Sequence, residues 1–245
     1  RRAMPQPVET YVEDCSTDAE LPKWAFASYD FSGFTVNIAC ALPEPSRIFS
    51  VDYFDQRLAR VAELFPAHAL PVLRTVTTWV FSDALIGGQT QCADYYEKRP
   101  GSSRSAGIPE SVSGGIRWNG SFCPSSRRAA GQGSDVIHEF AHAWDDLAYN
   151  PGDQYVNGQC PVTNWQPPST SSTREYSSSM LGMVNCENES PVTDAYFSAR
   201  ATGLHLDSYA SWNHAEYFAV LSEAWFVSGY FSPHTRDELL DYDPV

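Results

Sequence analysis

The 245-residue chain has no run of about 20 consecutive apolar residues, the length a helix needs to cross a bilayer. It is also short of basic side chains: 16 Lys and Arg stand against 30 Asp and Glu, a formal net charge of −14. Nucleic acid and anionic membrane surfaces are therefore disfavoured as partners, because each would have to be bound against like-charge repulsion. No two of its six cysteines are spaced as Cys-x-x-Cys, which removes zinc-ribbon and thioredoxin-type motifs. No internal repeat with a period of about 20–50 residues is visible, so solenoids and propellers fall away. The chain opens Arg1-Arg2-Ala3-Met4 without an apolar signal region and reads as a processed form. What remains is a globular chain, 42% hydrophobic and 13% aromatic, long enough for one or two domains with a buried core.

The cysteines Cys15, Cys40, Cys92, Cys123, Cys160 and Cys186 form an even set, which fits disulfides in an oxidising compartment. Sequential pairing, Cys15–Cys40, Cys92–Cys123 and Cys160–Cys186, is the expectation. The sequons Asn119-Gly-Ser121 and Asn188-Glu-Ser190 fit a secreted glycoprotein. A monomer is expected.

Residues 1–47 are rich in Pro, Cys and acid, and Phe34-Thr-Val-Asn-Ile-Ala-Cys40 is the one strand-like run there. They are expected to form a disulfide-bearing segment ahead of a catalytic domain over 48–245, the two making one compact unit. Phe54, Leu58, Val61, Leu64 and Phe65 recur at helical spacing up to Pro66. Thr75-Val-Thr-Thr-Trp-Val-Phe81 reads as a strand stopped by Gly87-Gly88. Residues 97–114 read as a polar loop, and Gly115–Cys123 as a strand or hairpin with an Asn-Gly turn. A helix opened by Ser134 as cap and Asp135 as first-turn acid runs to about Tyr149, where Asn150-Pro151-Gly152 breaks it. Residues 150–190 form a Ser/Thr-rich insertion pinned by Cys160 and Cys186. A last helix is expected from about Trp212 to Val227, with one short helix after it. Strands first and helices later, without a βαβ rhythm, predict the α+β class with a small mixed sheet.

The informative constellation is His138-Glu139-Phe140-Ala141-His142. Helical residues four apart stand on one face, so both imidazoles can reach one ion. Zn²⁺ suits them: it accepts imidazole nitrogen and takes three protein ligands plus a water in catalytic sites. Glu139, beside the first histidine, is then the candidate base for that water. A third histidine six residues past His142, the metzincin continuation, is missing: Asp145 and Ala148 stand where its glycine and histidine belong. Asp145 and Asp146 could each accept a ring N–H and fix a tautomer.

Downstream, Ser208-Tyr209 and Ala215-Glu216-Tyr217-Phe218-Ala219 complete a pattern that resembles the catalytic domain of anthrax lethal factor and the bacterial Pro-Pro endopeptidases. That group has HEFxH followed by two Asp, then a distant Ser-Tyr with a metal-binding Glu seven residues after the Tyr. Tyr209 and Glu216 keep that spacing. The resemblance spans two short blocks and implies a gluzincin-type zinc peptidase on a zincin-like fold. Its ligands would be His138, His142 and Glu216, its base Glu139, and Tyr209 the phenol that stabilises the oxyanion. Glu223, two turns past Glu216 on the same helical face, stays open as an orienting carboxylate or as the ligand itself. Asn188-Glu189-Ser190, loosely like a thermolysin-type ligand helix, and the histidines His205 and His214 are weaker rivals.

The expectation is thus a secreted zinc endopeptidase acting on protein or peptide substrates. The alternatives are a non-proteolytic zinc-binding or effector protein on the same scaffold, and a zinc hydrolase of a non-peptide amide or ester. Ile116-Arg117-Trp118 is the candidate edge strand for pairing with an extended substrate.

Overall fold

The computed structural model describes residues 10–12, 15, 21–81, 95–97, 115–119, 134–149, 191–229 and 231–243. Six strands, β1 (Thr10–Val12), β2 (Ala25–Phe31), β3 (Phe34–Ala39), β4 (Thr78–Phe81), β5 (Tyr95–Glu97) and β6 (Gly115–Asn119), form one sheet in the order β1-β2-β3-β4-β6-β5. The described helices are α1 (Glu44–Leu64), α2 (Leu70–Leu73), α3 (Ser134–Tyr149), α4 (Pro191–Ala201), α5 (His214–Phe226) and α6 (Arg236–Tyr242). The class is α+β with a mixed sheet. Contrary to the expectation of no βαβ rhythm, β3 and β4 run parallel and α1 makes the crossover between them. Strands from both sides of residue 48 share the sheet. No described helix is long and apolar enough to cross a membrane.

Strand β2 was not legible, because Ala25-Phe-Ala-Ser-Tyr-Asp-Phe31 carries no β-branched residue. It exists because it pairs antiparallel with β3 through a two-residue turn, Phe31 standing opposite Phe34. Ser32 (φ 56°) and Gly33 (φ 86°) both have positive φ, the type I′ geometry that matches strand twist. Asp30 Oδ1 accepts from the Gly33 N–H at 3.0 Å. Helix α1 starts well before Phe54, at a proline-rich first turn suited to helix initiation, and stops short of Pro66. It turns Phe54, Leu58 and Val61 inward.

Alternation in the strands sends Phe34, Val36, Ile38, Val80, Ile116 and Trp118 to the face that α1 and α3 cover. From α3 come Val136, Ile137 and Phe140. Phe140 meets Phe34 edge-on at 5.1 Å, and Trp118 meets Phe54 at 5.2 Å. The opposite face buries Trp24, Phe26, Trp79 and Phe81. The expected edge strand is corrected here: β6 is hydrogen-bonded to β4 on one side and β5 on the other, so Ile116–Trp118 is central and Trp118 is core. The outer strand on that side is β5.

Cys15 and Cys40 form the expected disulfide, Cα–Cα 5.1 Å. The other four cysteines, Gly87-Gly88, Gly120 of the expected Asn-Gly turn and the insertion 150–190 lie outside the described residues.

Candidate metal centre

Helix α3 occupies the span its sequence predicts, with Asp135 in the first turn, where a carboxylate complements the helix dipole. Val136, Ile137, Phe140, Ala141 and Ala143 are buried, which fixes the rotation of the helix about its axis and aims His138 and His142 together along one side. Helix α5 packs along α3. Its start is set by Asn213, whose side chain accepts the Glu216 N–H at 2.8 Å. Glu216 therefore falls in the first turn of α5, three residues past the cap. In a capping box an acid at this position would fold back on the cap. Its carboxylate points to α3 instead.

One ligand atom from each of His138, His142 and Glu216 lies within 4.8 Å of the other two. His138 Nε2 is 3.1 Å from Glu216 Oε2 and 3.0 Å from His142 Nε2, and His142 Nε2 is 3.4 Å from Glu216 Oε2. On the other side of the same ring, His138 Nδ1 is 2.5 Å from Glu223 Oε1. A carboxylate only accepts, so Nδ1–H donates to Glu223; Nε2 then either donates its own proton to Glu216 or, in the neutral ring, turns its lone pair toward His142 and Glu216. With that proton gone, three lone-pair donors face one another, so the cluster holds either a proton or a metal cation. Two imidazole nitrogens and one carboxylate oxygen are a donor set that fits Zn²⁺.

The electrostatics agree. Burial alone would lower the His138 pKa, but hydrogen bonds to Glu216 and Glu223, with the charges of Glu139 and Glu223, raise it well above 6.5. Burial would raise the pKa of Glu216, but hydrogen bonds to His138 and His142 and their charge hold the carboxyl far below the usual carboxylate range. The pocket is built to hold positive charge.

Tyr209 opens a short 3₁₀ turn, Tyr209–Ser211, capped by Ser208, whose hydroxyl accepts the Ala210 N–H and donates to the Ser232 carbonyl. The phenol donates to Glu216 Oε1 at 3.1 Å, so Tyr209 touches the carboxylate oxygen turned away from the two imidazole contacts. Its ring is near those of His138 (6.3 Å, 29°) and Phe231 (4.6 Å, 25°). Phe231 was not singled out by sequence, and nothing in its local pattern signals this contact.

Among the remaining candidates, Glu139 is buried and near enough to His138 for its charge to act on that ring. Asp145 is buried on α3, and the side chain of Asp146 lies outside the described residues, as does Glu189. Glu223 is the acid observed against a His138 ring nitrogen. His214 is the first residue of α5. His205 stands apart from the cluster: its Nε2 is 3.1 Å from Asp243 Oδ2, which also accepts from the Tyr217 hydroxyl at 2.6 Å, tying α6 to α5. Burial, with the Asp243 hydrogen bond, raises the Tyr217 pKa far above its ordinary 10.0.

An α+β scaffold whose two facing helices bring His, His and Glu together carries a site compatible with a metal ion. Residues 123–232, somewhat less than half the chain, match the family model of the glucose-regulated metallopeptidases M90. The matched stretch includes both histidines, Tyr209, Glu216 and Glu223, and it supports a metallopeptidase. No curated protein and no solved structure matches the chain.

Proposed function

We propose that this chain is a secreted, zinc-dependent endopeptidase of the gluzincin type on a zincin-like fold, related to the lethal factor group. The observation that carries the proposal is the convergence of His138, His142 and Glu216, with Glu223 behind the first imidazole. In this reading the three converging residues hold the metal, Glu139 is the base and Tyr209 the oxyanion donor. When bound, the divalent ion would supply Lewis acidity, lowering the pKa of a water and polarising the scissile carbonyl.

The chain's own residues would do the rest. Glu139 takes the proton of the attacking water and hands it to the leaving nitrogen, so that no net proton is lost over the cycle. Tyr209, at rest on Glu216 Oε1, swings its hydroxyl to the carbonyl oxygen as negative charge develops there. Glu223 holds the His138 proton on Nδ1 and so keeps Nε2 available. An extended peptide would lie along β5, the outer strand beside β6. The Cys15–Cys40 bridge supports an oxidising compartment.

The test is cleavage of a peptide library by the zinc-loaded protein, with and without a chelator, beside Glu139→Gln. Cleavage should stop on chelation and return with zinc. Glu139→Gln should keep its metal and lose about 10²–10⁴-fold in rate. Chelator-insensitive cleavage, or near wild-type turnover in the variant, would remove the mechanism.

A further inference from the structure

The turn that carries Tyr209 also presents a second aromatic side chain, which the chemistry above leaves unused. Trp212 closes that turn and is 62% exposed, the most exposed large hydrophobic side chain among the described residues. Its ring lies 5.1 Å from that of Tyr209 at a tilt of 45°. Trp225, the other markedly exposed tryptophan, is covered by the Arg236 guanidinium at 3.9 Å.

The backbone beneath Trp212 is fixed on both sides. Its N–H donates to the Tyr209 carbonyl at 3.1 Å. The Ser211 carbonyl just before it accepts from the Tyr196 hydroxyl at 3.0 Å and from Arg200 Nη1 at 2.8 Å, both on α4. Asn213, just after it, caps α5. The indole is therefore exposed on a rigid mount, and a partner covering it gains apolar burial with little ordering cost. With the ring centroids 5.1 Å apart, the indole stands beside the phenol that would serve the scissile carbonyl.

We propose that Trp212 is a specificity-determining wall of the substrate cleft, receiving a large aromatic side chain of the peptide next to the bond that is cut. The proposal rests on the peptidase reading for the identity of its ligand and is tested by binding as well as by cleavage.

Two hydroxamate-capped dipeptides, one bearing a benzyl and one a methyl side chain, are titrated calorimetrically into zinc-loaded wild type, Trp212→Ala and Trp212→Phe. Library cleavage is profiled on the same proteins. Wild type should bind the benzyl compound at least about tenfold more tightly than the methyl one. Trp212→Ala should lose that preference while the methyl compound changes little, and Trp212→Phe should keep most of it. Trp212→Gln replaces the alanine variant if the latter does not fold. Equal affinities in wild type, or a preference intact in Trp212→Ala, overturns the assignment. So does an equal loss for both compounds, which would make Trp212 a brace for Tyr209. A zinc-loaded protein that cleaves no peptide yet keeps the benzyl preference overturns the peptidase reading and leaves Trp212 in place.

Discussion

His138 Nδ1 donates to Glu223 Oε1 at 2.5 Å while Nε2 of the same ring lies 3.1 Å from Glu216 Oε2, so one imidazole is bracketed by two carboxylates from a single helix. Seven residues span two helical turns and about 10 Å of axis, which puts both acids on the α3-facing side of α5 with the ring between them. Glu223→Gln keeps the shape and removes the charge. It is expected to weaken zinc binding about 10–100-fold, measured by competition with a chromophoric chelator, with the fold intact by circular dichroism. Unchanged affinity would separate Glu223 from the centre.

Tyr209→Phe removes one donor and preserves the stack on Phe231. The expected outcome is a fall of about 10²–10³ in kcat, with KM and zinc content little changed. A rise in KM alone would assign the phenol to substrate binding and not to the oxyanion.

In the metal-free protein the raised His138 pKa has a definite sign. The stabilisation from its extra proton is fully present below the unfolded value near 6.5 and is lost as pH rises through the higher folded value. Zinc needs Nε2 bare, so loading near pH 7 should expel about one proton, and fewer as pH rises above the folded pKa. Calorimetric titrations in buffers of different ionisation enthalpy read this number. Zinc uptake without proton release at neutral pH would contradict it.

Phe140, the middle residue of the HEFAH run, is a core residue, 1% exposed and packed edge-on against Phe34. Phe140→Ala should cost about 3–5 kcal/mol in urea unfolding, because a large ring is removed from between α3 and the sheet. A loss below about 1 kcal/mol would mean that α3 is not held on the sheet by this contact.

Much of the centre could be read from residue order. The four-residue histidine spacing and the apolar backing at Val136, Ile137 and Phe140 are local signals, and local signals survive in one dimension. Tyr209 and Glu216 share one turn-and-helix unit, and the resemblance to the lethal factor group, which keeps the same seven-residue spacing, implied their relation. The contact of Glu223 with His138 depends on how α5 crosses α3, and no run of residues encodes that crossing. The same holds for Phe231, which reaches Tyr209 from beyond the end of α5. In the sheet, β3 and β4 announced themselves through β-branched and aromatic residues. β2 did not, because partners and the Ser32-Gly33 turn stabilise it more than its own composition does. Nor did β5, which is three residues long and defined by its pairing with β6.

The most direct test of the centre is zinc stoichiometry by mass spectrometry on wild type and Glu216→Ala, each loaded and then dialysed. The account predicts about one zinc per chain in wild type and a small fraction of that in the variant, with matching circular dichroism. A full equivalent of zinc retained by Glu216→Ala would contradict it.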